Sequence, residues 1–425
     1  MKVFIETYGC TYNQGDSQII AGILDNNDVI LVDSVEEADI IIVNTCYVKL
    51  PTENKVIYRI QKLQEEYPEK KVIVAGCMVE VDPLKLEKVG PDCSWIGPHK
   101  LHEAFDVVNR TYSGEVVRSS GFTCESKVGL KKIKKNHLIH IIQICEGCLG
   151  ACTFCCTRFA RGRLNSYPIE DIVAEAKKAI DEGAREIQLT AQDTAAFGRD
   201  TGESLADLIK EVANLEGNFR VRVGMMHPKN ILKNYPEIIE AIKHPNVYNF
   251  IHLPIQTGSN KVLSEMNRGH TVEDYLKIID EFKKEIPDVT VATDIIVGYP
   301  TETDDDFKLT CDLIEKVKPS LIHLSKYQHR KGAISSSLKE VPYEVMKKRS
   351  KLLSRFKVQI TEAENKKLIG TTQKALVVEK GSKGGYIAKS DDYIPIVVSD
   401  VSEGEFISVK IYETTSTYLK GELIY

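Results

Sequence analysis

The chain has 425 residues, more than the roughly 100–200 of one ordinary domain, so two or three domains are expected. Hydrophobic content of 42% and charged content of 28% exclude a disordered or fibrous class. No apolar stretch reaches membrane-spanning length, and the opening MKVFIETYGC lacks the regions of a signal peptide. These features give the expectation of a cytoplasmic protein with no membrane partner. A net charge of −5 excludes a globally basic polyanion binder, so any RNA site is a local patch. Eleven cysteines in a reducing compartment point to metal or redox chemistry rather than disulfides.

Residues 1–110 alternate short apolar runs (Val3–Glu6, Val29–Val32, Asp39–Asn44, Val72–Ala75) with amphipathic stretches such as Lys55–Glu66, the pattern of an open parallel sheet flanked by helices. Residues 111–136 lose that periodicity and end in the basic run Lys131–Lys135, which reads as a linker. Residues 137–341 contain six strand-like runs: His137–Cys145, Arg185–Gln192, Arg220–Met226, Tyr248–Gln256, Val289–Gly298 and Leu321–Gln328. Every run but the last is followed by helical sequence, so an α/β barrel, complete or partial, is expected. Residues 342–369 form one basic helix with eight Lys or Arg against three acids, and residues 370–425 carry the hairpin signals of a small all-β domain.

The sharpest motif is Cys148-x3-Cys152-x2-Cys155, directly after the first barrel strand. A four-iron cluster normally takes four thiolates, so a compact motif offering three leaves one iron open to a ligand. Zinc is the alternative, because Cys145 and Cys148, like Cys152 and Cys155, form C-x2-C pairs. Zinc ribbons, however, separate their pairs by roughly 15–20 residues. Cys10, Cys46 and Cys77 each follow an expected N-terminal strand, and carboxyl edges of parallel strands converge on one crevice. Spacing alone leaves these three as ligands or as small core residues. Cys93, Cys124 and Cys311 show no partner spacing, and Cys145 and Cys156 read as bystanders. His227, His252 and His270 lack ligand spacing and are assigned no metal role.

With both sets of cysteines in view, the chain resembles the tRNA methylthiotransferase family, whose members join a cluster domain, a radical S-adenosylmethionine (SAM) barrel and a TRAM β-barrel. The resemblance is carried also by Asn13, Asp16-Ser17, Arg161-Gly162-Arg163, Leu253–Ser259, Met266–Gly269, Asp294–Pro300 and Lys348-Arg349. The segments Gln192–Gly198 and Thr157–Gly162 resemble the archaeal and eukaryotic branch, which acts on N6-threonylcarbamoyladenosine at tRNA position 37. Gln18 departs from a common Glu, and Arg330-Lys331-Gly332-Ala333 from the usual Arg-Pro-Gly-Thr.

The resemblance implies a partial (β/α)6 radical SAM barrel and two [4Fe-4S] clusters, one on Cys148, Cys152 and Cys155 and one on Cys10, Cys46 and Cys77. It implies SAM bound to the first cluster; near that cluster the strand-end polar groups Gln192, Asp193, Arg222 and Gln256 are expected to touch SAM, or else to support its neighbours or be solvated at the barrel mouth, with Phe154 expected to shield it. The implied reaction is methylthiolation of adenosine C2, with tRNA, an electron donor protein and a sulfur source as partners. Isopentenyladenosine or a ribosomal protein side chain are alternative substrates, and a non-catalytic iron–sulfur RNA-binding protein is the alternative of another class. Lys131–Lys135 and the helix from Lys347 to Lys357 are the expected phosphate contacts. The TRAM-like segment, with six Lys and eight acids from Thr371 on, leaves contacts from Tyr386, Tyr393 and Tyr418 as an option.

Overall fold

A computed structural model describes residues 1–424. The first six strands are β1 (Lys2–Thr7), β2 (Ile30–Leu31), β3 (Ile40–Thr45), β4 (Lys71–Gly76), β5 (Ser94–Ile96) and β6 (Arg118–Ser119). They form one parallel sheet in the order β2-β1-β3-β4-β5-β6. β3 is buried along its whole length, as its unbroken Ile-Ile-Ile-Val run requires of a strand covered on both faces. The expected linker does not hang free. Its residues Arg118–Ser119 pair with β5, and Lys127 is buried in an ion pair with Asp16 at 2.9 Å and Glu146 at 2.6 Å.

The second unit contains β7 (Ile139–Gln143), β8 (Cys145–Glu146), β9 (Asn165–Ser166), β10 (Glu186–Thr190), β11 (Arg220–Val223), β12 (Phe250–His252), β13 (Thr290–Val297) and β14 (Leu321–Lys326). Strands β7, β10 and β11 are parallel neighbours, as are β12, β13 and β14. A single parallel bridge, Val221 to Val247, joins the two halves into a six-stranded partial barrel. Alternate residues such as Ile187, Val221, Ile251, Val291 and Ile295 face the helical layer and form one large core with Ile172, Leu208, Ile278 and Ile314. Helix starts are chemically specified: Thr271 and Thr303 each close a capping box with Asp274 and Asp306.

The expected basic helix runs over Tyr343–Lys366, and β15 (Thr372–Lys380), β16 (Tyr386–Ser390), β17 (Pro395–Val398), β18 (Phe406–Thr414) and β19 (Leu419–Leu423) close a five-stranded barrel. This small barrel docks on the amino-terminal end of the large one. Asp391 pairs with Arg220 at 2.9 Å, the Asn249 amide donates to Asp392 at 3.1 Å, and Lys389 pairs with the fully buried Glu186 at 3.0 Å. Among the described residues no helix is long and apolar enough to cross a membrane.

Candidate active site

β1, β3 and β4 are immediate neighbours, with Thr7 opposite Asn44 and Thr45 opposite Gly76. The residues that follow them therefore leave the sheet side by side, and these are Cys10, Cys46 and Cys77. Gly76 turns the chain at φ +88°, where a Cβ would overlap the Asn44 side chain, so Cys77 opens its helix at the sheet edge. The three thiols lie close enough to influence one another's ionisation. Burial pushes Cys46 up to about 12, and Cys77 and Cys10 add to that rise.

The second triad sits on the loop between β8 and the helix Thr157–Arg161. Gly147 enters this loop at φ +82°, where a side chain would strike the Arg163 carbonyl. Three donors point at its sulfurs: Gly150 N–H to Cys148 Sγ at 3.2 Å, Thr157 N–H to Cys155 Sγ at 3.4 Å, and Arg268 Nη1 to Cys152 Sγ at 3.3 Å. Burial raises the Cys148 thiol to about 12 and raises Cys155 as well. Three clustered sulfurs with aimed N–H donors fit a bound metal cluster, whose positive charge would hold them as thiolates against the cost of burial.

The triads are adjacent. The helix that begins at Cys77 packs on the helix Thr157–Arg161, and Cys156 lies buried between them against the Tyr47 carbonyl. At the centre is Arg161, whose guanidinium forms an ion pair with Asp16 at 2.7 Å and donates to Glu146 at 2.9 Å and to Asn13 at 3.0 Å beside Cys77. Asp16 and Glu146 also share Lys127, so two buried cations hold two buried carboxylates across the domain seam.

An inner cavity of about 290 Å³ and an outer cleft of about 920 Å³ meet at the Cys148, Cys152 and Cys155 loop. Phe154, Gln192, Asp193 and Gln256 all line the inner cavity. Gln256, at φ +77°, keeps a buried Oε1 with no partner, an acceptor suited to a ligand donor. Gln192 accepts from Gly147 N–H at 2.7 Å and so holds the entrance of the cysteine loop. Asp193 is occupied: it accepts from the Ala195 and His227 amides at 3.1 and 2.8 Å and from Asn230 at 2.6 Å. Its role here is to fix the strand ends.

Arg222 is not among the residues that line the inner cavity. It faces the barrel interior one layer deeper, opposite Gln188, with its guanidinium over the rings of Phe250 and Tyr393. Two charges of the basic run are engaged within the fold, while Lys135 is exposed. Lys132 is buried on Glu175 at 2.5 Å and Lys131 pairs with Asp25 at 2.5 Å, so both charges serve the fold. On the long helix, Arg349 is buried on Glu302 at 2.6 Å, while Lys347, Lys348, Lys351 and Arg355 are exposed. Tyr393 is consumed in docking, its hydroxyl held by Lys389 at 2.9 Å.

Sequence spacing missed one group. His252, Asp294 and His323 come from the adjacent strands β12, β13 and β14, their ligand atoms lie within 4.8 Å of one another, and Asp294 lines the inner cavity. His252 Nε2 is 2.8 Å from Asp294 Oδ2. Burial raises the Asp294 carboxyl, but the bond to His252 outweighs it and leaves the group below its usual range. The missed signal was parity: each residue stands on the inward face of its predicted strand.

Three family patterns match the chain: the uncharacterized protein family UPF0004 over residues 2–97, the radical SAM superfamily over 142–314 and the TRAM domain over 366–424. The fold is similar to that of the radical SAM methyltransferase TsrM from Kitasatospora setae, with TM-score 0.58 at 12% identity over 79% of this chain and 77% of that one. It is also similar to the SAM radical enzyme OxsB, with TM-score 0.55 at 12% identity over 83% and 56%. Among relatives, a probable threonylcarbamoyladenosine tRNA methylthiotransferase of Methanothermobacter thermautotrophicus is 54% identical over 99% of each chain. The human threonylcarbamoyladenosine tRNA methylthiotransferase is 37% identical over 99% of this chain and 74% of its own. With its sheet domain, SAM-type barrel and TRAM barrel matched along the same length, the chain belongs to the threonylcarbamoyladenosine tRNA methylthiotransferase family of radical SAM proteins.

Proposed function

We propose that this enzyme replaces the C2 hydrogen of N6-threonylcarbamoyladenosine at tRNA position 37 with a methylthio group, using two [4Fe-4S] clusters and SAM. The observation that carries the reading is the meeting of two thiol triads, Cys10/Cys46/Cys77 and Cys148/Cys152/Cys155, on either side of the buried Cys156. An aromatic C–H of this kind is too weakly acidic for a side-chain base, which is why the reaction calls for cofactor-borne radical chemistry.

In this reading Cys148, Cys152 and Cys155 would hold one cluster and Cys10, Cys46 and Cys77 the other, and the two would supply reductive SAM cleavage and sulfur delivery. The chain's own groups do the positioning. Gly150 N–H, Thr157 N–H and Arg268 orient the sulfurs of the SAM-binding cluster. Phe154 packs against Met266, Tyr299 and Tyr327 to form one wall of the cavity, and Gln256 offers its free acceptor. The exposed Lys347, Lys348, Lys351 and Arg355 supply phosphate contacts.

The test is mass spectrometry of tRNA nucleosides from a strain lacking the gene. The 2-methylthio derivative of N6-threonylcarbamoyladenosine should vanish and the parent nucleoside accumulate. An unchanged nucleoside profile refutes the assignment.

A further inference from the structure

We propose that Arg268 is a positioning residue that raises the reduction potential of the SAM-binding cluster: its buried guanidinium, held on Cys152 and paired with no carboxylate, has the cluster as its counter-charge. This assignment rests on the reading above that Cys148, Cys152 and Cys155 hold a [4Fe-4S] cluster, and adds to it the side chain that makes that cluster easier to reduce.

Arg268 is 4% exposed, and an unpaired cation at that depth is costly. Its Nη2 donates to the Pro254 carbonyl at 2.6 Å and its Nη1 to Cys152 Sγ at 3.3 Å, while Nε has no partner. Among the described residues it forms no salt bridge. The two carboxylates that line the same cavity are engaged elsewhere, Asp193 by the amides of Ala195 and His227 and by Asn230, and Asp294 by His252. The rings of His227 and His270 stand edge to face, 5.5 Å between centroids; burial, and then the Arg268 charge, push them down to about 2 and about 4, so neither imidazole adds a charge. The guanidinium acts on a second sulfur too: burial raises the Cys155 thiol, and Thr157 and Arg268 pull it back. Its charge is thus directed at sulfur rather than at a carboxylate.

The turn after the helix Asn260–Glu265 fixes this placement. Asn267 adopts φ +54° and Gly269 φ +65°, and a Cβ on Gly269 would strike the Lys229 side chain at 2.7 Å. The Arg268 amide returns to the Leu263 carbonyl at 3.0 Å. Bonds that do not use the guanidinium tie this turn to the cysteine loop: Thr153 N–H to the Met266 carbonyl at 3.1 Å, the Thr153 hydroxyl to the Glu265 carbonyl at 2.9 Å, and the Asn267 side-chain amide to the Ala151 carbonyl at 2.9 Å. The loop therefore keeps its anchors when the guanidinium alone is changed. Three thiolates on a dicationic four-iron core give a net negative cluster, and reduction adds one more negative charge. A fixed cation shielded from water stabilises the reduced state more than the oxidised one. Arginine suits the task because it stays protonated and its fork reaches two acceptors at once. A charge-assisted bond of this kind shifts the reduction equilibrium by roughly tenfold.

The test is a redox titration of the cluster-loaded full chain, followed by electron paramagnetic resonance, for wild type, Arg268→Met and Arg268→Lys. The signal that changes when SAM is added identifies the cluster on Cys148, Cys152 and Cys155. Arg268→Met should load as much iron as wild type and reduce about tenfold less favourably, a midpoint lower by about 59 mV for a one-electron couple. Arg268→Lys, which keeps the charge, should stay near the wild-type midpoint. A Met midpoint equal to that of wild type overturns the proposal, and so does a Lys midpoint displaced as far as that of Met. SAM carries a carboxylate of its own, so SAM affinity is measured in parallel; a Met variant that loses SAM binding with neither cluster's midpoint changed assigns the guanidinium to SAM and overturns the proposal. If the variants load no cluster, wild type decides: protein grown on isotopically labelled arginine should show nitrogen hyperfine coupling in the SAM-responsive signal, and its absence overturns the contact on which the proposal stands. A wild type with no SAM-responsive cluster signal sinks the cluster reading and this assignment with it, whereas an intact signal indifferent to Arg268 sinks the assignment alone.

Discussion

Replacing Arg161 by Met removes one of two cations from a buried four-charge cluster. Arg161 is 2% exposed, and the side chains of Asp16 and Glu146 are 1% and 5% exposed. Each carboxylate now bonds one Arg and one Lys; in the variant Lys127 alone would serve both, leaving one uncompensated buried negative charge. Breaking a buried pair in this way costs about 3–5 kcal/mol, and the surviving Lys127 contacts place the expected loss near ~3 kcal/mol. For a protein of this size that is a drop of several degrees in Tm.

The pH dependence gives the reasoning its edge. In the wild type, burial raises the Glu146 carboxyl, but Lys127 and Arg161 together leave it below its usual range. Its contribution is therefore present above the unfolded carboxylate range and lost only in strong acid. Without Arg161, one carboxyl of the pair would ionise less readily when folded than when unfolded, so the variant recovers stability as pH falls. The Tm difference between wild type and Arg161→Met, measured by differential scanning fluorimetry, should be largest near pH ~8 and shrink toward pH ~5. The pair Asp16→Asn with Arg161→Met, which restores charge balance, should be more stable than Arg161→Met alone near pH ~8. A Tm difference that is constant across this range, or a double variant less stable than the single, refutes the account.

Three further outcomes are expected. Anaerobic reconstitution of Cys148→Ala and of Cys10→Ala should each reduce iron from about eight to about four per chain, with 5′-deoxyadenosine formation lost in Cys148→Ala; full iron in Cys10→Ala would remove that residue from the ligand set. Lys348→Ala with Lys351→Ala should reduce the slope of log affinity for tRNA against log salt by roughly one unit per lost phosphate contact, and an unaltered slope would clear the helix of that role. Burial raises Asp392 to about 6 at the docking surface. A carboxyl held above its unfolded value destabilises the folded state once ionised, so Asp392→Asn should raise Tm at neutral pH and lose that advantage as pH falls below about 6.

The elements that fix the fold were legible where burial dictates sequence. The Ile40–Val43 run and its neighbours announced a sheet covered on both faces, and the placement of Cys10, Cys46 and Cys77 after three strands carried over to the sheet edge because those strands are neighbours. Depth along a barrel strand was not legible. Arg222 and Gln192 both stand near strand ends in sequence, yet the register of β11 on β10 sets Arg222 beside Gln188, one layer beneath the cavity. Long-range neutralisation was equally hidden. Lys131 and Lys132 look like a free basic run until the fold brings Asp25 and Glu175 to them. The unusual Lys331 also finds its reason only across the domain seam, in Asp82, which in turn accepts from Tyr47 at 3.0 Å.

The docking of Lys389 and Tyr393 beneath the large barrel has a consequence for modularity. Glu186 lies on the barrel's inner wall, yet its cation comes from the terminal domain, and Tyr393 packs edge-on against Tyr248 in the same layer. The terminal barrel thus also closes the amino-terminal end of the large one. It cannot be exchanged as a cassette between enzymes of different substrate preference unless residues 389–393 travel with Glu186, Arg220 and Tyr248 as one inherited unit.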